Sequence, residues 1–294
     1  MQLYFATMDF YMGGVLKVMT DTNGFTTHGI DRISVSNVTK FLMAPSAWGV
    51  SYLMKEKFTA GFAAWQGNAV EAGVDEGLYN GVAIDECIKI AMDDLNERAL
   101  LAPNKLEEMT KRTPIVAQMV TNALEQLLPL GQPDIPPDGK RQHEINIPVR
   151  FRKGKGGTVN NLGYLDYRWS ETDERKETPL VVDLKTTSKS PSSWSLSHGI
   201  QAAVYERAIE LNLKRKPEVK FLYCLTRKKD PFLWMKMDNG SFYLDQFKRA
   251  VVRMEKFLSL SDDTQKLMDA LPHDPDTFYW KGANAETLSA RYIA

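Results

Sequence analysis

The sequence predicts an α/β fold, with a helical first half followed by a half in which strands and helices alternate. Three observations support this prediction. Between residues 34 and 130, apolar residues recur mainly at helical spacing. From residue 143 onward, short apolar or alternating segments separated by polar turns are typical of strands. Their order (three strands, a helix, two strands and a helix) is typical of a sheet flanked by helices.

The composition is that of an ordinary folded chain and excludes several kinds of site. Of the 294 residues, 43% are hydrophobic, and 37 basic residues balance 37 acidic ones, so attraction to a polyanion must come from local charge. Two isolated cysteines, Cys87 and Cys224, exclude a disulfide framework, a Cys-rich zinc site and a four-cysteine iron–sulfur cluster within one chain. Because no long apolar stretch or signal peptide is present, we expect a soluble, unprocessed, cytoplasmic protein without a membrane partner.

The helical half begins after an N-terminal segment of different character. Residues 1–33 contain short apolar pieces broken by glycines and by "DTNG", which predicts a hairpin or an arm packed on a neighbour. A single domain is expected over 34–294, and its helical part over 34–130. Helices are predicted after Ser36 as N-cap, over 60–98 and over 113–130.

The second half supplies the strands of the predicted sheet, over residues 140–260, followed by an irregular tail over 261–294. The predicted strands are "HEINIPVRF", "TVNNLGYLDYRW", "PLVVDLKTT", "EVKFLYCLTR" and "FLWMKM". A helix over "SWSLSHGIQAAVYERAIELN" separates the third strand from the fourth, and another over "LDQFKRAVVRMEKFLSL" follows the fifth.

An acid and a lysine interrupt the third of these strands, which is otherwise apolar. In "VVDLKTT", Asp183 and Lys185 are two residues apart and therefore project from the same face, about 7 Å apart along the chain. A solvated surface ion pair is the simplest interpretation of such a pair when it stands alone. The preceding strand carries Asp166, however, and two adjacent antiparallel strands can bring Asp166 and Asp183 together.

Two carboxylates forced together repel each other, and a divalent cation removes that conflict. Oxygen ligands favour Mg²⁺ or Mn²⁺ over zinc. Lys185, on the same face, would then orient a water molecule or neutralise charge on a reacting phosphate.

Three further motifs occur in the same sequence as Asp166 on one strand and Asp183-x-Lys185 on the next. "GNAVEAGV" (67–74) has the form G-x-x-x-acid and presents Glu71. "QAAVY" (201–205) places Gln201 and Tyr205 four residues apart, on one helix face. The segment "SVSNVTKFLMAPSAWGVSYL" precedes both. In this order the motifs resemble those of the PD-(D/E)XK nuclease superfamily, in its RecB-type and lambda-type exonuclease branch, over about residues 33–226.

The resemblance implies a restriction-endonuclease-like core, a central mixed β-sheet flanked by helices, and hydrolysis of DNA phosphodiester bonds. It implies that Mg²⁺ or Mn²⁺ is held by Glu71, Asp166, Asp183 and the Leu184 backbone carbonyl, and that Lys185 orients the nucleophile. Gln201 and Tyr205 would face the site, and His198, one turn earlier, is a candidate phosphate contact. Glu144, in the strand before Asp166, is a candidate supporting residue.

The sequence departs from the iron–sulfur members of that branch at one point. Ala44-Pro45 stands where they have Cys-Pro, and the tail has no cysteine cluster. We therefore expect the iron–sulfur cluster to be absent and ordinary packing, involving Trp48 and Trp280, to join the N- and C-terminal segments.

Local positive charge suggests where DNA would bind. Residues 140–155 hold six basic residues against one acid, around a glycine turn that allows close approach of a backbone. The candidate phosphate contacts in this turn are Arg150, Arg152, Lys153 and Lys155.

The function predicted on these grounds is a metal-dependent DNA exonuclease that serves recombination, repair or DNA turnover. The compact domain fits a phage origin, which would place the protein in the host cytoplasm. The alternatives are a structure-specific or nicking endonuclease on the same fold, and an inactive nuclease-like DNA-binding subunit. The intact set of three acids and a lysine argues against the inactive subunit. A single-strand annealing protein and a second copy of the chain are candidate partners by analogy alone. The sequence leaves polarity, strand preference, the number of metals and the oligomeric state open.

Overall fold

The computed structural model describes residues 22–100, 106–136, 142–227, 229–282 and 284–293. Most of the predicted N-terminal arm or hairpin lies outside the described residues. Its last part, residues 22–33, contains a short helix and a two-residue strand. Within the described ranges, no helix combines the length and apolar character that crossing a bilayer requires.

The predicted α/β fold is confirmed, with helices packed against two mixed sheets. The helices are α1 (Gly24–Thr27), α2 (Val35–Met43), α3 (Pro45–Tyr52), α4 (Phe62–Asn80), α5 (Ile84–Leu100), α6 (Leu106–Leu127), α7 (Leu196–Leu213), α8 (Gly240–Leu258), α9 (Thr264–Asp269) and α10 (Ala285–Tyr292). The strands are β1 (Arg32–Ile33), β2 (His143–Arg150), β3 (Thr158–Leu165), β4 (Tyr167–Trp169), β5 (Leu180–Thr187), β6 (Glu218–Leu225) and β7 (Phe232–Lys236).

The strands form two sheets that meet at Asp166. One sheet has the order β1-β3-β2 and the other the order β4-β5-β6-β7, with β5 and β6 parallel. The sequence predicts one strand over residues 158–169, but the structure divides it, so that β3 pairs with β2 and β4 pairs with β5. Asp166 is the single residue between the two strands, and its side chain is therefore placed where the sheets join.

The four-stranded sheet is covered on both faces, which explains why β5 is apolar almost throughout. Val181 on one face belongs to the core that contains residues of α7 and α8. Val182 and Leu184, on the other face, belong to the core that contains residues of α4, α5 and α6. Asp183 shares the face of Val181, so it points toward α7.

The helical half differs from the prediction at its boundaries. Ser34, not Ser36, caps α2, accepting a hydrogen bond from the Asn37 backbone N–H at 3.1 Å. The predicted helix after this cap is broken at Pro45, because proline disfavours helical geometry in the residue before it. The predicted helix over 60–98 is broken at Gly81, which adopts a left-handed conformation (φ 66°) that glycine tolerates.

Trp48 and Trp280 both pack in the core, but against different partners. The Trp48 ring contacts Phe41 and Phe257, whereas the Trp280 ring contacts Phe58 and His273. The contact between Trp280 and Phe58 therefore helps to join the N- and C-terminal segments, as expected. Trp48 instead packs between α2 and α8.

Candidate active site

Asp183 and Lys185 lie side by side on β5, on the face that α7 covers. Asp183 is fully buried, and its Oδ2 atom forms an ion pair with Lys185 Nζ. Lys185 also lies over the ring of Phe221, with Nζ 5.3 Å from the ring centroid. The strand period of two therefore brings together the pair that the sequence singled out.

The predicted glutamine and tyrosine of α7 hold Asp183 from the other side. Gln201 Nε2 donates to Asp183 Oδ1 at 2.9 Å and contacts the Tyr205 hydroxyl at 2.7 Å. That hydroxyl donates to the Tyr164 carbonyl oxygen at 2.7 Å. Because α7 residues four apart share a face, Gln201 and Tyr205 link Asp183 to the strand that leads to Asp166.

Asp166 reaches the same place from the junction of the sheets. Its Oδ2 atom accepts a hydrogen bond from the Leu184 backbone N–H at 2.9 Å, which ties it to the residue between Asp183 and Lys185. Burial, together with the negative charges of Asp183 and Glu71, raises the pKa of Asp166 well above its usual value. These carboxylates are therefore close enough to affect one another strongly.

Glu71 is brought to the cluster because α4 packs closely on β5. A Cβ atom at Gly67 would lie 3.3 Å from Thr186 Oγ1, so glycine permits the close approach one turn before Glu71. One turn after Glu71, the Tyr167 hydroxyl donates to Asp75 Oδ1 at 2.9 Å and fixes the same helix. The close packing of α4 on β5 therefore explains why position 67 is a glycine, and it brings Glu71, one turn later, to the cluster.

Sequence reasoning missed Gln142, which completes the cluster. Its Nε2 atom donates to Glu71 Oε1 at 2.5 Å and to Asp166 Oδ1 at 3.1 Å. An isolated glutamine before a strand carries no sequence signal of this kind. Glu144, the candidate in the same segment, lies two residues further on with its side chain exposed.

The charge on Lys185 follows from its neighbours. Burial by itself would lower the pKa of Lys185, but the negative charges of Asp183 and Asp166 outweigh that effect and raise it. Lys185 is therefore protonated at neutral pH and can donate hydrogen bonds or neutralise charge, but it has no free lone pair with which to accept a proton. Burial raises the pKa of Asp183, and Lys185 offsets part of that increase.

His198 lies beside the pair, in contact with a residue of β6. Its Nδ1 atom is 2.8 Å from the Tyr223 hydroxyl, and Tyr223 is opposite Lys185 in the β5–β6 register. Burial, and to a smaller extent the charge of Lys185, lowers the pKa of His198 to about 4. The imidazole is therefore neutral at pH 7, so any contact with a phosphate would be a hydrogen bond and not an ion pair.

The cluster opens into a cavity of about 1020 Å³, which is at the upper end of the usual range for ligand-binding pockets. Asp166, Asp183 and Lys185 line it, and so do two aromatic residues with exposed surface, Tyr164 (43%) and Phe278 (65%). First-turn residues of α2, α4 and α7 also line the cavity. Helix N-termini favour negatively charged groups, so this wall is suited to phosphate.

The predicted basic turn lies elsewhere. Arg150, Arg152, Lys153 and Lys155 are at or beyond the far end of the β2–β3 hairpin, about 26 Å of strand away from Asp166. Arg152 donates to the Thr22 carbonyl oxygen and lies 3.9 Å from Glu255. The structure therefore does not bring these four side chains to the cavity that contains Asp183.

The donor set suits a hard divalent cation, although the described side chains are not arranged as a finished coordination sphere. Within those described residues, no three His, Cys, Asp or Glu side chains form a ready-made metal group. Gln142 stands between Glu71 and Asp166, and Lys185 is paired with Asp183. Carboxylates that repel one another are nevertheless the ligands that Mg²⁺ and Mn²⁺ prefer, so the residues fit such a metal.

Comparison with known proteins gives a family match over most of the chain. A family model of the PD-(D/E)XK nuclease superfamily matches residues 32–277. Among solved structures, a presumed exonuclease from Eubacterium rectale is 12% identical, with 90% of this chain and 92% of that chain covered and a TM-score of 0.49. SSO0001 is 11% identical, with 54% and 70% covered and a TM-score of 0.28. No curated protein matches the sequence.

Proposed function

The chain belongs to the PD-(D/E)XK nuclease superfamily, and from this premise we propose that it is a Mg²⁺- or Mn²⁺-dependent DNA exonuclease of the RecB-type or lambda-type branch. Family membership supports a nuclease that acts on DNA, and members of the superfamily generally use divalent metals. The proposal adds the choice of metal, the attack at DNA ends, the branch, and a role in recombination, repair or DNA turnover, with phage origin as a further expectation.

One observation carries the proposal: side chains from β5, from the junction of two sheets, from α4 and from α7 converge on one partly buried cluster. Asp183 and Lys185 come from β5, Asp166 from the junction of two sheets, and Glu71 from α4. Gln201 and Tyr205 on α7 hold Asp183 in position. A structural ion pair would need only two of these groups, whereas metal-assisted hydrolysis uses all of them.

Each residue has a role that follows from its surroundings. Glu71, Asp166, Asp183 and the Leu184 carbonyl would hold the metal, which when bound activates a water molecule and neutralises phosphate charge. Protonated Lys185 would orient the attacking water and stabilise charge that develops on the phosphate.

The cavity would admit the DNA end. Phosphates would lie against the N-terminal turns of α2, α4 and α7, which line the cavity and whose helix dipoles favour negative charge. Unpaired bases would have the exposed rings of Tyr164 and Phe278 to stack on. Both kinds of contact are independent of base sequence, as an exonuclease requires.

The test measures cleavage of end-labelled linear duplex, a labelled single strand and a closed circle, each with Mg²⁺, Mn²⁺ or EDTA. We expect metal-dependent loss of linear DNA with the circle intact. Asp183→Asn and Lys185→Met should each reduce the rate by at least about a hundredfold, as expected when a group that stabilises transition-state charge is lost. The position of the label gives the polarity of digestion.

A matched pair of variants controls for charge. Asp173 and Lys176 form an exposed ion pair, so Asp173→Asn and Lys176→Met should leave the rate unchanged. Cut circles would replace the exonuclease assignment with an endonuclease. Bound but uncleaved DNA with every metal would mean that the chain is an inactive DNA-binding subunit.

A further inference from the structure

Gln142 meets Asp166 because of the register of the β2–β3 hairpin. His143 is opposite Leu165 in that antiparallel pair, so continuing the register by one residue places Gln142 opposite Asp166. The glutamine is therefore held beside the acid by strand pairing, one residue before the ladder begins.

The amide of Gln142 uses its donor group on two of the predicted metal ligands. Nε2 donates to Glu71 Oε1 and to Asp166 Oδ1, at 2.5 and 3.1 Å. An amide NH₂ group carries two hydrogens, so it can serve both carboxylates at once. Asp166 Oδ2 is taken by the Leu184 N–H group, so Gln142 supplies the donor for the remaining oxygen.

We propose that Gln142 is a positioning residue of the metal site, which holds Glu71 and Asp166 together without a cation and competes with the cation for their oxygens. The inference rests on the proposed function. Without a donor between them the two carboxylates repel each other, so the metal-free protein loses stability. In the metal-bound protein the cation already neutralises these charges, so the amide contributes less to stability there. Removing the amide should therefore destabilise the metal-free protein and strengthen metal binding.

A purely structural hydrogen bond predicts a different result. If Gln142 served only to anchor the start of β2, its loss would lower stability equally with and without metal. Metal affinity would then stay the same, or fall because the ligands are less well ordered. The two roles therefore differ in the sign of the change in affinity.

The experiment measures Mn²⁺ binding to the full chain by isothermal titration calorimetry, and thermal unfolding in EDTA and in saturating Mn²⁺, both without DNA. Gln142→Leu should lower Tm in EDTA and reduce the Kd for Mn²⁺ by about tenfold, which is the scale of a hydrogen bond to a charged group. Gln142→Glu adds a fourth carboxylate. It should lower Tm in EDTA further, and Mn²⁺ should restore it.

Two reference variants separate the outcomes. Gln118 donates from its amide to the exposed Arg227 carbonyl oxygen, so Gln118→Leu should leave the Kd for Mn²⁺ unchanged. Asp183→Asn should weaken Mn²⁺ binding. If the unaltered protein binds Mn²⁺ but Gln142→Leu leaves the Kd unchanged or raises it, the role of Gln142 is wrong and the proposed function stands. If the unaltered protein binds no Mn²⁺, the role of Gln142 is wrong, and the cleavage test with Mg²⁺ and Mn²⁺ decides the proposed function separately.

Discussion

Individual ionisable residues at the site carry charges that their neighbours determine. Asp166 is partly buried among other acids, which raises its pKa, whereas Lys185 is kept protonated by Asp183 and Asp166. The cluster therefore combines excess negative charge with one fixed positive charge. A divalent cation would balance the first, and the lysine would act on the substrate.

His198 provides a pH-dependent prediction at this scale. Burial lowers its pKa to about 4, whereas an unfolded chain has the usual value of about 6.5. Below about pH 6.5 the unfolded state binds a proton that the folded state does not, so this residue's contribution to stability should fall as pH drops from about 6.5 to 4. His198→Gln should remove that part of the pH dependence, measured by urea unfolding at half-unit pH steps.

NMR provides the direct check on the same residue. The imidazole resonances of His198 should titrate near pH 4, well below the range of an unperturbed histidine. Titration near pH 6.5 would contradict the predicted burial, as would an unchanged pH profile in His198→Gln.

At the scale of elements, Asp134 fastens the loop after α6 to the edge strand β4. Its carboxylate accepts hydrogen bonds from Arg168 Nε at 2.7 Å and from the Ser170 hydroxyl at 2.5 Å. Its backbone N–H donates to the Arg168 carbonyl oxygen, and its own carbonyl contacts His143 at the start of β2. This one residue therefore joins the loop, the edge of one sheet and the start of the other, close to Gln142 and Asp166.

Asp134→Asn should reduce the free energy of unfolding by about 2 kcal/mol at pH 7, the scale of hydrogen bonds to a charged group. Burial raises the pKa of Asp134, but the hydrogen bonds from Ser170 and Arg168 outweigh it, and the pKa is lowered. The carboxylate therefore stabilises the fold above about pH 4, and that stabilisation is lost as pH falls through the lowered pKa.

Chemical denaturation of the two proteins at several pH values measures this effect. The difference in unfolding free energy should be constant above about pH 5 and should shrink below about pH 4. A difference that persists undiminished at low pH would show that the carboxylate charge is not the cause.

At the scale of the whole molecule, polar contacts join the C-terminal segment to the first helices. Trp280 Nε1 donates to Ser46 Oγ at 3.2 Å, and the same hydroxyl is 3.0 Å from His273 Nδ1. Asn284 donates to the Lys57 carbonyl oxygen and accepts from the Thr59 N–H group. These contacts connect residues more than 200 positions apart. Ordinary side-chain contacts were expected to join these segments, because the sequence has Ala44-Pro45 where iron–sulfur members have Cys-Pro.

Ser46→Ala should lower the free energy of unfolding by about 1–3 kcal/mol, because it leaves the buried Trp280 N–H group without its acceptor. The matched variant Ser259→Ala removes an exposed hydrogen bond to Glu255 and should change stability by less than about 0.5 kcal/mol. Thermal and urea unfolding measure both. Equal effects of the two substitutions would show that the contact at Ser46 does not stabilise the joined termini.

The sequence by itself determined the features that depend on spacing within one element. The strand period places Asp183 and Lys185 on one face, and the helix period places Gln201 and Tyr205 on one face. The α/β class follows in the same way from the order of the periodic segments. These predictions agree with the structure because backbone geometry fixes the relation of residues two or four apart.

Only the tertiary structure decided the features that depend on how distant segments pair. The split of the predicted strand at Asp166 and the meeting of Gln142 with Glu71 follow from strand register and helix packing. The basic turn was expected to contact DNA because of its charge, and only the structure shows that the length of the hairpin separates it from Asp166. Local periodicity carries no information on register between segments, because register is set by the burial of whole faces against one another.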